Sequence, residues 1–235
     1  MTLSNAAPAV TPRQRALKPE QIQAVFEVFQ GIEPEPKGEL DYVNAYTLVV
    51  AVALSAQATD VSVNAATRAL FAKVTTPQQM LDLGEAALKE HIKTIGLYNA
   101  KAANVMKAAQ ILVDDFGGEV PEDRAALESL PGVGRKTANV VLQMYWGHPT
   151  IAVDTHVFRV SNRMGMAAGN NPDQVEDGLN RRVPAAFKNH AHHWLILHGR
   201  YLCKARKPEC WRCPVSEWCC FREKTAEPAP KKPKK

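Results

Sequence analysis

Apolar residues recur at helical spacing along most of the chain, and no stretch alternates convincingly with a period of two. A helix beginning at Pro19 has one apolar face, and a longer helix over 99–116 has another. These faces consist of Ile22, Val25, Phe26 and Phe29, and of Ala102, Val105, Ala109 and Leu112. Residues 45–56 are apolar on every side, which favours a buried helix, although a β-strand is the alternative because the segment is rich in valine. The pattern predicts an all-α fold of about ten helices with short connections.

Turn residues divide the rest of the sequence into further predicted helices. These helices cover 60–70, 77–83, 85–92, 121–130, 136–145, 155–164, 172–183 and 191–201. Residues 1–18 and the Lys/Pro-rich residues 223–235 show no apolar periodicity, and we expect both ends to be disordered.

The composition excludes several classes of protein. Hydrophobic residues make up 46% of the 235 residues, enough for one large domain or two small ones. Residues 1–20 lack the apolar segment of a secretory signal, and the longest apolar run, 48–54, is far too short to span a bilayer. We therefore expect a soluble protein of the cytoplasm or nucleoid.

Basic charge is concentrated at the C-terminal end of the chain. The net charge is +5, yet residues 203–235 alone contain ten Lys and Arg against four Glu, so the remainder is slightly acidic. Such asymmetry favours an anionic partner, nucleic acid first. For residues 231–235 alone, a solvated basic tail is the alternative.

A pair of glycines joins two predicted helices in the sequence Leu-Pro-Gly-Val-Gly-Arg-Lys, residues 130–136. Gly132 and Gly134 tolerate a positive φ and let the backbone approach a partner. The N–H groups that begin the second helix can bind a phosphate oxygen. This pattern is typical of a helix–hairpin–helix that grips the DNA backbone, with a plain turn as the alternative. A nucleotide P-loop is excluded, because only one residue separates the two glycines and because a helix, not a strand, precedes them.

A lysine and an aspartate follow the hairpin. Lys136 falls in the first turn of a predicted helix, where the helix dipole and Arg135 both disfavour an ammonium. A neutral amine can attack a sugar carbon or form a Schiff base, and phosphate binding or simple solvation is the alternative. Asp154 precedes another predicted helix, which it can cap, and its carboxylate can also take a proton from the lysine. His156 is placed to contact phosphate or to pack in the core.

All five cysteines lie between Cys203 and Cys220. Four of them, Cys203, Cys210, Cys213 and Cys219, follow the spacing Cys-x6-Cys-x2-Cys-x5-Cys. Four thiolates in one loop form a closed, structural metal site, and the residues alone favour zinc because the spacing matches neither common ferredoxin pattern. Basic residues within the loop, including Lys207, are placed to face a phosphate backbone. Cys220 is left as a free thiol.

The hairpin with Lys136, the aspartate eighteen residues later and the four-cysteine loop together resemble the endonuclease III family of DNA glycosylases. The resemblance covers about residues 38–222. It is carried by residues 54–60, 95–99, 130–141, 153–156 and 192–200. It implies that the four cysteines hold a [4Fe–4S] cluster rather than zinc.

The resemblance also implies roles for single residues. Lys136 is expected to attack C1′, expel the base and form the Schiff base that undergoes β-elimination, with Asp154 assisting. Gln57 and Leu97 match positions that the family inserts into the duplex when a nucleotide is flipped, although Leu97 by itself is an ordinary exposed loop leucine. Asp60 falls near the base pocket. The remaining predicted DNA contacts are Gly132, Gly134, Arg135, His156 and Lys207.

The implied architecture is two all-α domains with a DNA-binding cleft between them. A six-helix domain, 38–148, contains the hairpin, and an iron–sulfur cluster domain combines 19–37 with 149–222. The implied function is a monomeric, bifunctional N-glycosylase and abasic-site lyase that removes oxidised pyrimidines from damaged double-stranded DNA. One alternative is a monofunctional glycosylase for mismatched adenine, although such enzymes lack the lysine and carry an extra C-terminal domain. The other is a non-catalytic DNA-binding module.

Overall fold

A computed structural model of the chain describes residues 16–36 and 38–229. These residues form eleven α-helices and no strands, which confirms the predicted all-α fold. The helices are α1 (Pro19–Ile32), α2 (Ala45–Leu54), α3 (Asp60–Phe71), α4 (Pro77–Leu83), α5 (Glu85–Ile92), α6 (Tyr98–Phe116), α7 (Arg124–Glu128), α8 (Arg135–Trp146), α9 (Thr155–Met164), α10 (Pro172–Arg182) and α11 (Lys188–Tyr201).

Most helix ends lie within two or three residues of the predicted ends, and capping side chains explain several of them. The ambiguous segment 45–56 is the buried helix α2, which begins where Asn44 Oδ1 accepts a hydrogen bond from the backbone N–H of Thr47 at 3.0 Å. Helix α7 is shorter than the predicted 121–130. Asp123 Oδ1 accepts from the backbone N–H of Ala126 at 2.8 Å, so the cap sets a later start.

The chain divides into two compact units. The first, here called the hairpin unit, consists of Glu35–Asp154 and Ala185–His193. Its core is built on α2, which packs against α3, α6 and α8, while α4 and α5 pack on α6 and α7 packs on α8. The fully buried side chains at its centre are Leu48, Leu54, Leu70, Met80, Leu88, Ile92 and Leu112. Each such side chain contributes about 2 kcal/mol of transfer free energy relative to exposure.

The second, the cysteine unit, consists of the described residues up to Pro34, Thr155–Pro184 and the residues from Trp194 onward. Aromatic rings form much of its core: the Phe26 ring lies 6.0 Å from that of Trp194, and Phe29 lies 5.2 Å from His198. The predicted cluster domain also included 149–154 and 185–193, which the structure places in the hairpin unit. Side-chain to backbone hydrogen bonds within that unit, described below, account for the difference.

Both chain ends are more ordered than predicted where the structure describes them. Leu17 is buried, its N–H donates to the Gly165 carbonyl at 2.8 Å, and Arg182 donates to the Leu17 carbonyl. Near the other end, Thr225 Oγ1 accepts from the Cys210 N–H at 3.2 Å. Residues 1–15 and 230–235, the rest of the ends predicted to be disordered, lie outside the described residues. Over residues 16–36 and 38–229, no helix has the length and apolar character needed to cross a bilayer.

Candidate active site and cysteine loop

The glycine hairpin links α7 to α8, and its two glycines differ in their conformational requirements. Gly132 has a φ of +84°, which favours glycine, and an added Cβ atom would make a tight contact of 3.2 Å with the Asn104 side chain. Gly134 has extended backbone and nothing within 4 Å of an added Cβ. Leu130 and Val133 are buried and anchor the turn. The open space at Gly134 leaves room for a partner molecule to approach the backbone.

Helix α8 begins at Arg135 with no side-chain cap, so its first N–H groups are not satisfied by a capping oxygen. Such a helix start is suited to bind a phosphate oxygen. Lys136 is the second residue of the helix and therefore lies in its first turn, as predicted. Its side chain is exposed and makes no hydrogen bond or ion pair with any described residue. An exposed amine at this position is accessible to a bound substrate.

Asp154 lies half-buried, immediately before α9, at the end of a segment that is tied to its surroundings at two points. Thr150 Oγ1 donates to the Asn139 carbonyl on α8 at 2.8 Å. His192 Nδ1 lies 2.8 Å from the Ala152 carbonyl, and because a carbonyl only accepts, Nδ1 carries the proton. The two bonds connect the segment that carries Asp154 to the helix that carries Lys136 and to α11.

His192 is affected by the charges of both Lys136 and Asp154, and no predicted role had been assigned to it. It is 4% exposed, and burial lowers its pKa to about 3, with further lowering by His193 and by the charge of Lys136 and an opposing effect of Asp154. The structure therefore brings Lys136 and Asp154 within electrostatic reach of one neutral imidazole. The adjacent histidines in the 192–200 segment are the only signal of this in the sequence.

Three of the residues predicted to contact DNA share an unusual, left-handed backbone conformation. Gln57, Leu97 and Lys207 have φ values of 56°, 62° and 53°, and within the described ranges no other non-glycine residue has a positive φ. Each side chain is exposed, Leu97 by 63%. A left-handed conformation costs an L-residue about 1–2 kcal/mol, and such strain is concentrated at functional sites. Asp60, the predicted base-pocket residue, is the first residue of α3.

His156 belongs to the cysteine unit, in the first turn of α9, and is half-buried. Its Nδ1 lies 3.1 Å from Arg159 Nη2, while Arg159 also donates from Nε to the Cys203 carbonyl at 3.0 Å. The same guanidinium donates to the Gly199 carbonyl at 2.9 Å. These contacts connect His156, a predicted phosphate contact, to the backbone of a predicted cluster ligand.

The four predicted ligands line one partly open cavity, and Cys220 does not belong to its lining. Burial raises the pKa of the Cys213 thiol to about 11 and also raises that of Cys219. Buried thiolates therefore need a strong positive charge, which the irons of a cluster supply. In the described part of the chain, no three His, Cys, Asp or Glu side chains are placed to hold a single metal ion. Four cysteine thiols around one cavity are the donor set of a [4Fe–4S] cluster, so the residues present fit that group.

Arg163 stabilises the cysteine loop from α9, another residue that the sequence analysis missed. It donates to the Lys204 and Ala205 carbonyls at 2.7 and 3.0 Å, and its Nη1 lies 3.7 Å from Cys203 Sγ. Its guanidinium also lies 4.8 Å from the centre of the Phe221 ring. Two arginines one turn apart on α9, Arg159 and Arg163, thus hold the backbone around Cys203.

Two family models match the chain. Residues 50–185 match the HhH-GPD superfamily of base excision DNA repair proteins. Residues 203–219 match the iron–sulfur binding domain of endonuclease III, and this confirms the predicted [4Fe–4S] cluster. The segment begins at Cys203 and ends at Cys219, the first and last of the four predicted ligands.

Relatives extend the match over most of the chain. Endonuclease III of Escherichia coli (strain K12) is 59% identical over 191 residues, which cover 81% of this chain and 90% of that protein. Endonuclease III of Rickettsia conorii is 56% identical over 198 residues, 84% of this chain and 94% of that one.

Solved structures agree. A trapped endonuclease III–DNA covalent intermediate is similar with a TM-score of 0.81 and 43% identity, covering 86% of this chain and 96% of that one. A thermostable thymine-DNA glycosylase, 24% identical, has the same fold with a TM-score of 0.78. The chain therefore belongs to the endonuclease III family within the HhH-GPD superfamily, and it is a DNA-binding glycosylase of base excision repair with abasic-site lyase activity.

Proposed function

We propose that Lys136 is the nucleophile of this enzyme and attacks C1′ of the damaged nucleotide. The observation that carries the proposal is an exposed amine without a protein partner, in the first turn of α8 directly after the hairpin. As the bond from the amine nitrogen to C1′ forms, the glycosidic bond breaks and its electron pair leaves with the base. Opening of the sugar ring gives the Schiff base. Loss of a C2′ proton then expels the 3′ phosphate and nicks the strand.

Asp154 is the proton acceptor that we assign to this reaction. The lysine nitrogen must lose its protons as it becomes an imine, and a carboxylate close by can take one and can stabilise the cationic sugar. The effect of both the Lys136 and the Asp154 charge on His192 supports their proximity.

The damaged nucleotide must leave the base stack to reach the amine, which costs a few kcal/mol and least at damaged pairs. We assign Leu97 as the wedge that enters the duplex and Gln57 as the side chain that fills the vacated place. Their exposed, left-handed positions support these roles. Oxidised pyrimidines are the proposed lesions, with Asp60 near the base.

Contacts with the DNA backbone come from both units. The uncapped start of α8, with Gly132, Gly134 and Arg135, is the proposed phosphate grip of the hairpin unit. His156 and Lys207 are the proposed contacts of the cysteine unit. Because each phosphate contact releases counterions, affinity should fall steeply with salt. We propose that the enzyme acts as a monomer in the cytoplasm or nucleoid.

The decisive experiment is reduction with borohydride in the presence of duplex DNA containing an abasic site. A Schiff base becomes a stable protein–DNA adduct, and Lys136→Gln should abolish both the adduct and strand cleavage. Lys107→Gln, a change at an exposed lysine of α6, is the matched control and should retain both. Trapping that survives in Lys136→Gln would contradict the assigned nucleophile. A monofunctional glycosylase or a non-catalytic binding module would give neither an adduct nor a nick above the buffer background.

A further inference from the structure

The segment 150–154 has little regular structure of its own, and two side chains hold it. At its start, Thr150 bonds to the carbonyl of Asn139, which lies one turn beyond Lys136 on the same helix. In its middle, the Ala152 carbonyl accepts from His192, on α11. Asp154 follows two residues later. The distance between the carboxylate and the amine of Lys136 is therefore set at one end by α8 and at the other by the His192 ring.

His192 is suited to hold a backbone in one place. The ring is 4% exposed and lies against the His193 ring at 5.3 Å between centres, so it has little freedom to move. The titratable groups that act on it are His193, Lys136 and Asp154. Burial keeps the ring neutral, so Nδ1 donates its proton in the hydrogen bond to the Ala152 carbonyl and the ring adds no positive charge beside the lysine.

We propose that His192 is a positioning residue for the Lys136 reaction, and that its hydrogen bond to Ala152 holds Asp154 in place relative to the amine. The inference rests on the proposed role of Lys136. Only Val153 separates Ala152 from Asp154, so a shift of the backbone at Ala152 displaces the Asp154 backbone as well. A displacement of about 1 Å at a catalytic group can lower a rate by a factor of about 100.

The test compares substitutions that keep or remove the bond. His192→Asn places an amide N–H near the position of Nδ1 and can still donate to Ala152, whereas His192→Leu has similar bulk and no donor. His193→Leu is the matched control, because it changes the neighbouring half-buried histidine, whose Nδ1 makes no hydrogen bond. The measurements are the single-turnover rate of nicking at an abasic site, the affinity for duplex containing an uncleavable tetrahydrofuran abasic analogue, and the melting temperature.

We expect His192→Leu to lower the nicking rate about 30- to 100-fold. The affinity and melting temperature should change no more than in His193→Leu, and His192→Asn should stay within about fivefold of the unaltered rate. Should leucine prevent folding, His192→Gln replaces it with the same expectation, since its amide extends towards the position of Nε2 and away from Ala152. A purely structural histidine would instead lose rate, affinity and stability together.

Two results would overturn the inference: an unchanged rate in His192→Leu, or equal losses in His192→Asn and His192→Leu. Lys136→Gln, trapped in parallel with borohydride, separates this inference from the proposed function. If Lys136→Gln still forms the adduct, the assigned nucleophile is wrong. If it forms none while His192→Leu nicks at the unaltered rate, the role of His192 alone is wrong.

Discussion

The cysteine loop and the lysine site differ in the sequence separation of the residues that form them. The four proposed ligands lie within Cys203–Cys219, and all of them line one cavity. The lysine site combines Lys136 on α8, Asp154 before α9 and His192 on α11. The spacing of cysteines within one loop can therefore encode the proposed ligand set, whereas the surroundings of the Lys136 amine are assembled from segments that are distant in the sequence.

The two regions also differ in burial. Burial raises the pKa of the Cys213 and Cys219 thiols. Without a cluster, these thiols would therefore be protonated. Lys136 is exposed. Cluster binding by the cysteine loop is therefore coupled to folding. The exposed Lys136 side chain, in contrast, contributes little to the stability of the fold.

The largest effect is expected from removing a cluster ligand. Cys213→Ala should abolish stable cluster binding, because the cavity loses one of four thiolates, and the melting temperature should fall by more than 10 °C or the protein should become insoluble. Iron analysis should give about four atoms per chain for the unaltered protein and far fewer for the variant. Visible absorbance of the purified proteins provides a second measurement.

Lys136→Gln is the control for this comparison and should retain both the iron and the melting temperature of the unaltered protein. A colourless, zinc-containing unaltered protein would contradict the cluster assignment. A full iron complement in Cys213→Ala would contradict the ligand set.

In the unit that contains the lysine site, we expect a smaller effect, namely a dependence of the free energy of unfolding on pH. Burial and the nearby His190 lower the pKa of His193 to about 4, while in the unfolded chain it is near 6.5. Between these two pKa values the unfolded state binds a proton at His193 and the folded state does not. The free energy of unfolding is therefore at its full value above pH 6.5 and decreases as the pH falls towards 4. The full loss is about 3 kcal/mol for this residue.

Urea unfolding at several values between pH 7.5 and pH 4.5 measures this loss of stability. His193→Leu should flatten the dependence, because one buried neutral histidine is removed. An identical slope in the variant would show that this ring does not titrate differently in the folded and unfolded states.

The smallest effect on stability is expected at Leu97, where function and backbone preference oppose each other. Leu97→Gly should raise the free energy of unfolding by about 1 kcal/mol, because glycine adopts the left-handed backbone without strain. Leu97→Ala should not relieve that strain. Both variants should slow processing of paired lesions more than of unpaired ones, because each removes the side chain that we propose as the wedge.

Thermal melting and single-turnover rates on paired and unpaired abasic duplexes check this prediction. Equal slowing on both substrates would show that Leu97 is not a wedge. A lower melting temperature in Leu97→Gly would show that the leucine side chain contributes packing that outweighs the strain.

Helix positions were largely predictable because caps, prolines and glycines act locally. Thr76 caps α4 and Pro77 is its first residue, and the predicted 77–83 agrees with the structure. The ends of the chain were harder. Leu17 carries no periodic signal in the sequence, yet it is buried and bonded to Gly165, a residue far along the chain.

The sequence by itself determined the helical architecture, the hairpin, the position of Lys136 at a helix start and the four thiols of the cysteine loop, because each depends on residues within a few turns of one another. Only the tertiary structure decided that His192 lies among the charges of Lys136 and Asp154, and that Arg159 and Arg163 hold the backbone at Cys203. The physical reason is that burial, electrostatic reach and hydrogen bonds to backbone carbonyls depend on distances in space, which no local pattern of residue types specifies.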